Sequence, residues 1–219
     1  MRAIPAFDTH LPVETRPTCH PQKTLPAGGR ELTICRHVRS PTPLGRGAVA
    51  GLAAWLFGYL VTYLLHAGGV RDALATDVLE FLVGDPVTWK LVGWLYFNAH
   101  FVDASVPGPL GRSTVNLLSG AEELALLALY ALPPVALLAA GAVVAYGTSE
   151  PVEGAKAGAA VAVGYLLASL VAAFLVRISV VDAVAGPSLV TAVLLAGLVY
   201  PLVFGTVGGA VAVVVAGSE

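Results

Sequence analysis

The stretch "WKLVGWLYFNAHFVDAS", Trp89–Ser105, decides how often this chain crosses a membrane. It is apolar enough for a helix in lipid, yet it carries Lys90, Asn98, His100 and Asp103. Its surroundings leave little choice of solvent. With 57% hydrophobic residues, 12% charged residues and a mean hydropathy of +0.80, the chain holds about half the charge of an ordinary soluble domain. Several runs exceed the roughly 18 apolar residues that separate a membrane span from a buried core helix. The expected fold class is therefore all-α: a polytopic transmembrane helix bundle of about five spans behind a disordered N-terminal tail.

Residues 1–45 hold seven of the fifteen prolines and show no apolar period, so they are expected to be disordered. No apolar h-region of a signal peptide follows the basic start. Met1 is the only methionine, and a start codon other than ATG near Gly45 to Val49 would leave the tail untranslated. Both cysteines, Cys19 and Cys35, fall in this tail with His20 and His37 nearby, but without the Cys-x-x-Cys spacing of zinc modules. No metal or cofactor is expected.

Residues 46–217 form the expected membrane domain, with spans at 47–69, 88–106, 121–146, 152–176 and 187–215. The first, at 1.5 Å per residue, reaches roughly 34 Å, enough for a ~30 Å hydrocarbon core. Residues 71–84 carry Asp72, Asp77 and Glu80 against Leu74, Val78, Phe81 and Leu82 near helical spacing, which predicts an interfacial amphipathic helix. Pro133 and Pro134 predict a kink in the third span, and Pro201 a break near 200–205 in the last. Gly154 with Gly158, and Gly205 with Gly209, stand four apart and predict close helix contact, offering surfaces for a homo-oligomer or a larger membrane partner. The bilayer is the expected environment, and nucleic acid is not an expected partner.

Charge distribution bears on the opening stretch. Seven of the twelve basic residues, Arg2, Arg16, Lys23, Arg30, Arg36, Arg39 and Arg46, precede the first apolar run. If 88–106 spans, nine basic residues fall on the side of the tail and three opposite; if it does not, the division is eight to four. The positive-inside rule thus favours five spans in the cell membrane with the N-terminus cytoplasmic. At 100° per residue Trp89, Gly93, Tyr96, His100 and Asp103 share one stripe with Asn98 opposite, while Trp55, Tyr59, Thr62 and His66 share a face of the first span.

A stripe of this kind is costly against lipid and should face protein or water. In one reading the two stripes line a polar cleft in which His100 and Asp103 exchange protons or bind a ligand, with Tyr96, His66 and Tyr59 around them. In the other, Asp103 marks a helix end, His100 is a satisfied interhelical hydrogen bonder, and the aromatics are interfacial anchors. His66 and His100 would lie toward opposite surfaces, which disfavours a shared haem. A second set, Asp103, Arg112, Glu122, Glu123, Arg177 and Asp182, would gather at the cytoplasmic face as a gate or as ordinary loop charge. No H-E-x-x-H, G-x-S-x-G or Walker loop is present, and no enzyme activity is expected.

The segments "GAVAGLAAWLFGYLVTYLL" and "WKLVGWLYFNAHFVD", separated by a short acidic stretch, resemble an uncharacterised family of multi-pass membrane proteins from halophilic archaea over about residues 46–215. That resemblance implies a helical membrane protein and assigns no active residues. The expected function is binding or moving a small solute or ion; the alternative is a non-catalytic accessory or scaffold subunit of a larger membrane complex.

Overall fold

A computed structural model describes residues 43–218 except 109–110, 121 and 181–182. The expected tail, its cysteines and Asp182 lie outside the described residues. Helix α1 (Pro43–Arg71) is followed by the short α2 (Leu74–Val83) and α3 (Thr88–Asn98). Strands β1 (Ala104–Gly108) and β2 (Gly111–Val115) lead to α4 (Leu124–Ala145). Then come α5 (Pro151–Leu175), β3 (Ile178–Val180), β4 (Ala183–Pro187) and α6 (Leu189–Ala216).

Among the described residues four helices, α1, α4, α5 and α6, are long and apolar enough to cross a membrane. Only 28% of the apolar window of α1, and the same share of α6, is buried within the chain. Apolar faces left open on that scale suit lipid, not water.

The expectation of a fifth span over 88–106 is corrected. α3 has eleven residues and stops at Asn98, about 16 Å of helix against a ~30 Å core. Its end is built like a Schellman motif: Val102 N–H reaches back to Phe97 O at 3.1 Å and Phe101 N–H to Asn98 O at 2.9 Å. The left-handed residue that this closure needs is Phe101, at φ +58°, a position usually held by glycine. Phe101 is held there by stacking on Tyr130 of α4, with centroids 4.9 Å apart.

The all-α expectation is also corrected. Two hairpins join into one antiparallel sheet of order β2-β1-β4-β3, with Ala104 opposite Pro187 and Ser105 opposite Gly186. Arg112 ties the hairpins together, donating from Nε to Ser105 Oγ at 2.8 Å and from Nη2 to Val184 O at 2.9 Å. Because one hairpin precedes α4 and the other links α5 to α6, the sheet fixes which helix ends lie together. The C-terminal ends of α1 and α5 and the starts of α4 and α6 share one face of the bundle, with α2 beside them.

Backbone-to-backbone seams hold the bundle. A Cβ on Gly51 would strike the carbonyl of Val161, and one on Gly164 the carbonyl of Ala48, so α1 and α5 cross at main-chain distance. Gly154 faces Gly209, and Gly158 faces Gly205, across α5 and α6. The paired glycines that predicted close helix contact thus make that contact inside the chain, and they are not free faces for another subunit. Pro133 and Pro134 fall in the first turn of a segment starting at Leu132, after a 3₁₀ turn over Leu129–Ala131, where missing N–H groups cost least. Around Pro201, α6 widens into π turns over Ala192–Val199 and Pro201–Gly205, as a residue without an N–H interrupts the regular ladder.

Candidate functional site

α3 enters the bundle as a short plug. Trp94 Nε1–H donates to Val176 O at 2.8 Å, and the hydroxyl of Tyr59 donates to Trp89 O at 3.0 Å, pinning α3 between α5 and α1. At its inner end Tyr96, His100 and Tyr165 of α5 are all fully buried. His100 Nδ1 faces the Tyr96 carbonyl at 2.8 Å and must therefore carry the proton; Nε2 then accepts from the Tyr165 hydroxyl at 2.7 Å. Since that hydroxyl's proton is committed, the Tyr96 hydroxyl donates to Tyr165 Oη at 2.9 Å. The result is a closed network with the polarity of a neutral imidazole. Full burial with no acidic partner favours the same form. The Tyr200 ring closes the remaining side of His100, at 5.0 Å between centroids.

Of the five residues singled out from the sequence, the structure unites two in this network, Tyr96 and His100. Asp103 lies past the end of α3, where its Oδ1 accepts from Asn116 Nδ2 at 2.8 Å and its carbonyl accepts from Ser188 N–H. No hydrogen bond or ion pair joins it to His100 among the described residues. Tyr59 stacks on Trp55, with centroids 5.7 Å apart. His66 stands near the end of α1, its Nε2 buried and without a hydrogen-bond partner among the described residues.

Asn98, excluded from the stripe by helical arithmetic, is fully buried. It donates to Val102 O and accepts from Leu117 N–H, each at 2.8 Å, so it fastens the α3 turn to the chain after β2. Asn98→Ala is expected to leave Leu117 N–H unpaired and to cost roughly 1–3 kcal/mol. Thermal unfolding in mild detergent measures this, and an unchanged midpoint contradicts it.

The described members of the second expected set form no ion pair with one another: Arg177 lies over the Phe174 ring and Arg112 bridges the hairpins, and the one ion pair among the described residues is Lys156 with Glu153, elsewhere. Nor is there, among the described residues, a group of three or more His, Cys, Asp or Glu side chains able to hold a metal.

What sequence reasoning missed is a partly open cavity of about 860 Å³ bordered by the end of α1, α2, α3, the start of α4 and the sheet. Its wall is mostly apolar, including Leu79, Leu91, Trp94 and Ile178, with polar groups from His66, Thr76 and Glu123. That size and that sparse polarity match small-molecule sites in general.

No curated protein and no solved structure matches the chain. A family match covers residues 31–216, beginning within the stretch read from composition as a tail. The chain belongs to that family, a family of unknown function (DUF7978).

Proposed function

We propose that this is a multi-pass membrane protein that binds a small, mostly apolar solute in the cavity between α2, α3 and the sheet. The observation that carries the reading is the cavity itself: about 860 Å³, apolar-walled, with His66, Thr76 and Glu123 as its polar points. The buried His100 network supports it indirectly. With both ring nitrogens bonded inside the chain, His100 suits a role in bracing α3, which forms one wall.

With four spans, both ends of the helical domain share one side. The basic residues then divide eight on the side of the N-terminus and four on the side of the sheet, which orients the termini to the cytoplasm and the cavity outward. Any oligomer or larger complex would form on the lipid-facing surfaces of the helices, since the glycine faces are occupied within the chain.

Trp94 lines the cavity and serves as reporter. In nanodiscs, a bromine-tailed medium-chain alcohol is expected to quench saturably the share of fluorescence that Trp94→Phe removes. Ala75 lines the cavity from α2, and Ala75→Phe is expected to weaken that quenching about tenfold, equivalent to ~1.4 kcal/mol of lost contact. Quenching that never saturates, or that Ala75→Phe leaves unchanged, would sink the reading. Co-purification of a stoichiometric partner without any ligand binding would instead favour an accessory subunit.

A further inference from the structure

We infer that the ligand is a single-chain amphiphile drawn from the bilayer, with a hydrogen-bond-donating head, admitted sideways past α2. The inference rests on the cavity being a binding site. Two apolar faces on one short helix carry it. Ala75, Thr76 and Leu79 of α2 line the cavity, while Leu74, Val78, Phe81 and Leu82 are exposed on the outside, Phe81 to 87%. A wall between a cavity and water would be polar outside; this one presents large apolar side chains, which suits contact with lipid. α2 thus has the cavity on one face and that apolar outer surface on the other. The head follows from the wall chemistry: the Glu123 carboxylate accepts only, the Thr76 hydroxyl already donates to Val70 O, leaving its oxygen as an acceptor, and a neutral His66 can accept at whichever ring nitrogen carries no proton.

α2 is also mounted to move. Gly68 and Gly69 in the last turn of α1 have nothing within reach of an added Cβ, and Gly84 closes α2 in the left-handed region at φ +78°. Among the described residues three side-chain hydrogen bonds hold α2. Thr76 bonds Val70 O, and the Glu80 carboxylate accepts from Val87 N–H at 2.9 Å and from Thr88 Oγ at 3.2 Å. Glu80 is thus the latch to α3, and the glycines are the pivots.

The test follows the rate of Trp94 quenching after protein nanodiscs are mixed with vesicles carrying the bromine-tailed alcohol, beside a water-borne arm with bromopropanediol. Gly68→Ala/Gly69→Ala meets no steric conflict and stiffens the pivot. It is expected to slow quenching about fivefold per glycine, the rate equivalent of the ~1 kcal/mol by which alanine outranks glycine in a helix. Glu80→Ala is expected to speed it, and Glu80→Gln, which keeps an acceptor oxygen, to restore the wild-type rate. Equilibrium quenching stays unchanged in the glycine variant. Unchanged rates in both the glycine and Glu80→Ala variants with saturable quenching intact would overturn the α2 route alone, as would saturable quenching by bromopropanediol. Absence of saturable quenching by either probe would overturn the cavity reading together with it.

Discussion

Gly164→Ala is expected to be among the most damaging single-methyl additions available in this chain. Its Cβ would fall on the main-chain carbonyl of Ala48 and close to Leu52 N, while Gly51, on the facing helix, already sits against Val161 and Tyr165 backbone atoms. No flexible side chain is present to give way; the methyl can be accommodated only by separating α1 from α5. Those two helices share an extensive packing seam, and between them they carry Trp55 and Tyr165, both in the core. Overpacking against a movable side chain costs about 1–3 kcal/mol, and a seam of backbone on backbone should reach the top of that range or exceed it. The comparison is Gly68→Ala, the same chemistry where a new Cβ meets nothing, expected to be neutral or slightly stabilising through helix propensity. Thermal unfolding of both variants in one detergent decides the matter: a large downward shift for Gly164→Ala alone is expected, and equal shifts for the two would show that the α1–α5 seam is not tight.

The four long apolar runs that form α1, α4, α5 and α6 are legible in the sequence because length and composition alone mark a span. The helix stop inside "WKLVGWLYFNAHFVDAS" is not. Helix ends announce themselves by glycine or asparagine at the left-handed position, and here a phenylalanine occupies it, stacked on a tyrosine 29 positions later in the chain. Asn98 is the one local hint, and its partner Leu117 N–H lies beyond the first hairpin, so its meaning depends on a tertiary contact. The sheet is hidden for a related reason. Each strand is five residues or fewer, and β1 and β4 meet across a gap of about 80 residues in sequence, pairing that no local pattern specifies. The positive-inside count favoured five spans by only one residue either way, too small a margin to outweigh a helix terminus fixed by packing.

The site was legible in part for the same physical reason. Tyr96 and His100 stand at i, i+4, so one helical turn brings the imidazole under the Tyr96 carbonyl, and the sequence spacing already implies that contact. Tyr165 completes the network from 65 positions away, and the cavity draws its wall from seven separate elements. Glu80 illustrates the limit most plainly. In the sequence it is one of several acidic residues on an amphipathic face, and only the turn at Gly84 carries the chain back so that Val87 and Thr88 reach its carboxylate.

The sequence paired His100 with Asp103; the structure gives them different expected outcomes. His100→Phe keeps the ring volume but removes two partners at once: the Tyr165 hydroxyl loses its acceptor, and the Tyr96 carbonyl, near the C-terminus of α3 where backbone acceptors run out of helical donors, loses its cap. Each buried group left unpaired costs roughly 1–3 kcal/mol, so the variant should lose about 2–6 kcal/mol. Tyr165→Phe removes the donor to Nε2 and the acceptor for the Tyr96 hydroxyl, with a similar expected loss. Because both substitutions delete the same central bond, the double variant should fall short of the sum by about 1–2 kcal/mol, as in coupled networks generally. Asp103→Asn, by contrast, retains an oxygen to accept from Asn116 Nδ2 and should be nearly neutral. Unfolding of all four variants under one detergent condition gives the full cycle. Additivity of His100→Phe and Tyr165→Phe would mean the network does not act as a unit, and a loss in Asp103→Asn as large as that of His100→Phe would reinstate the two as a working pair.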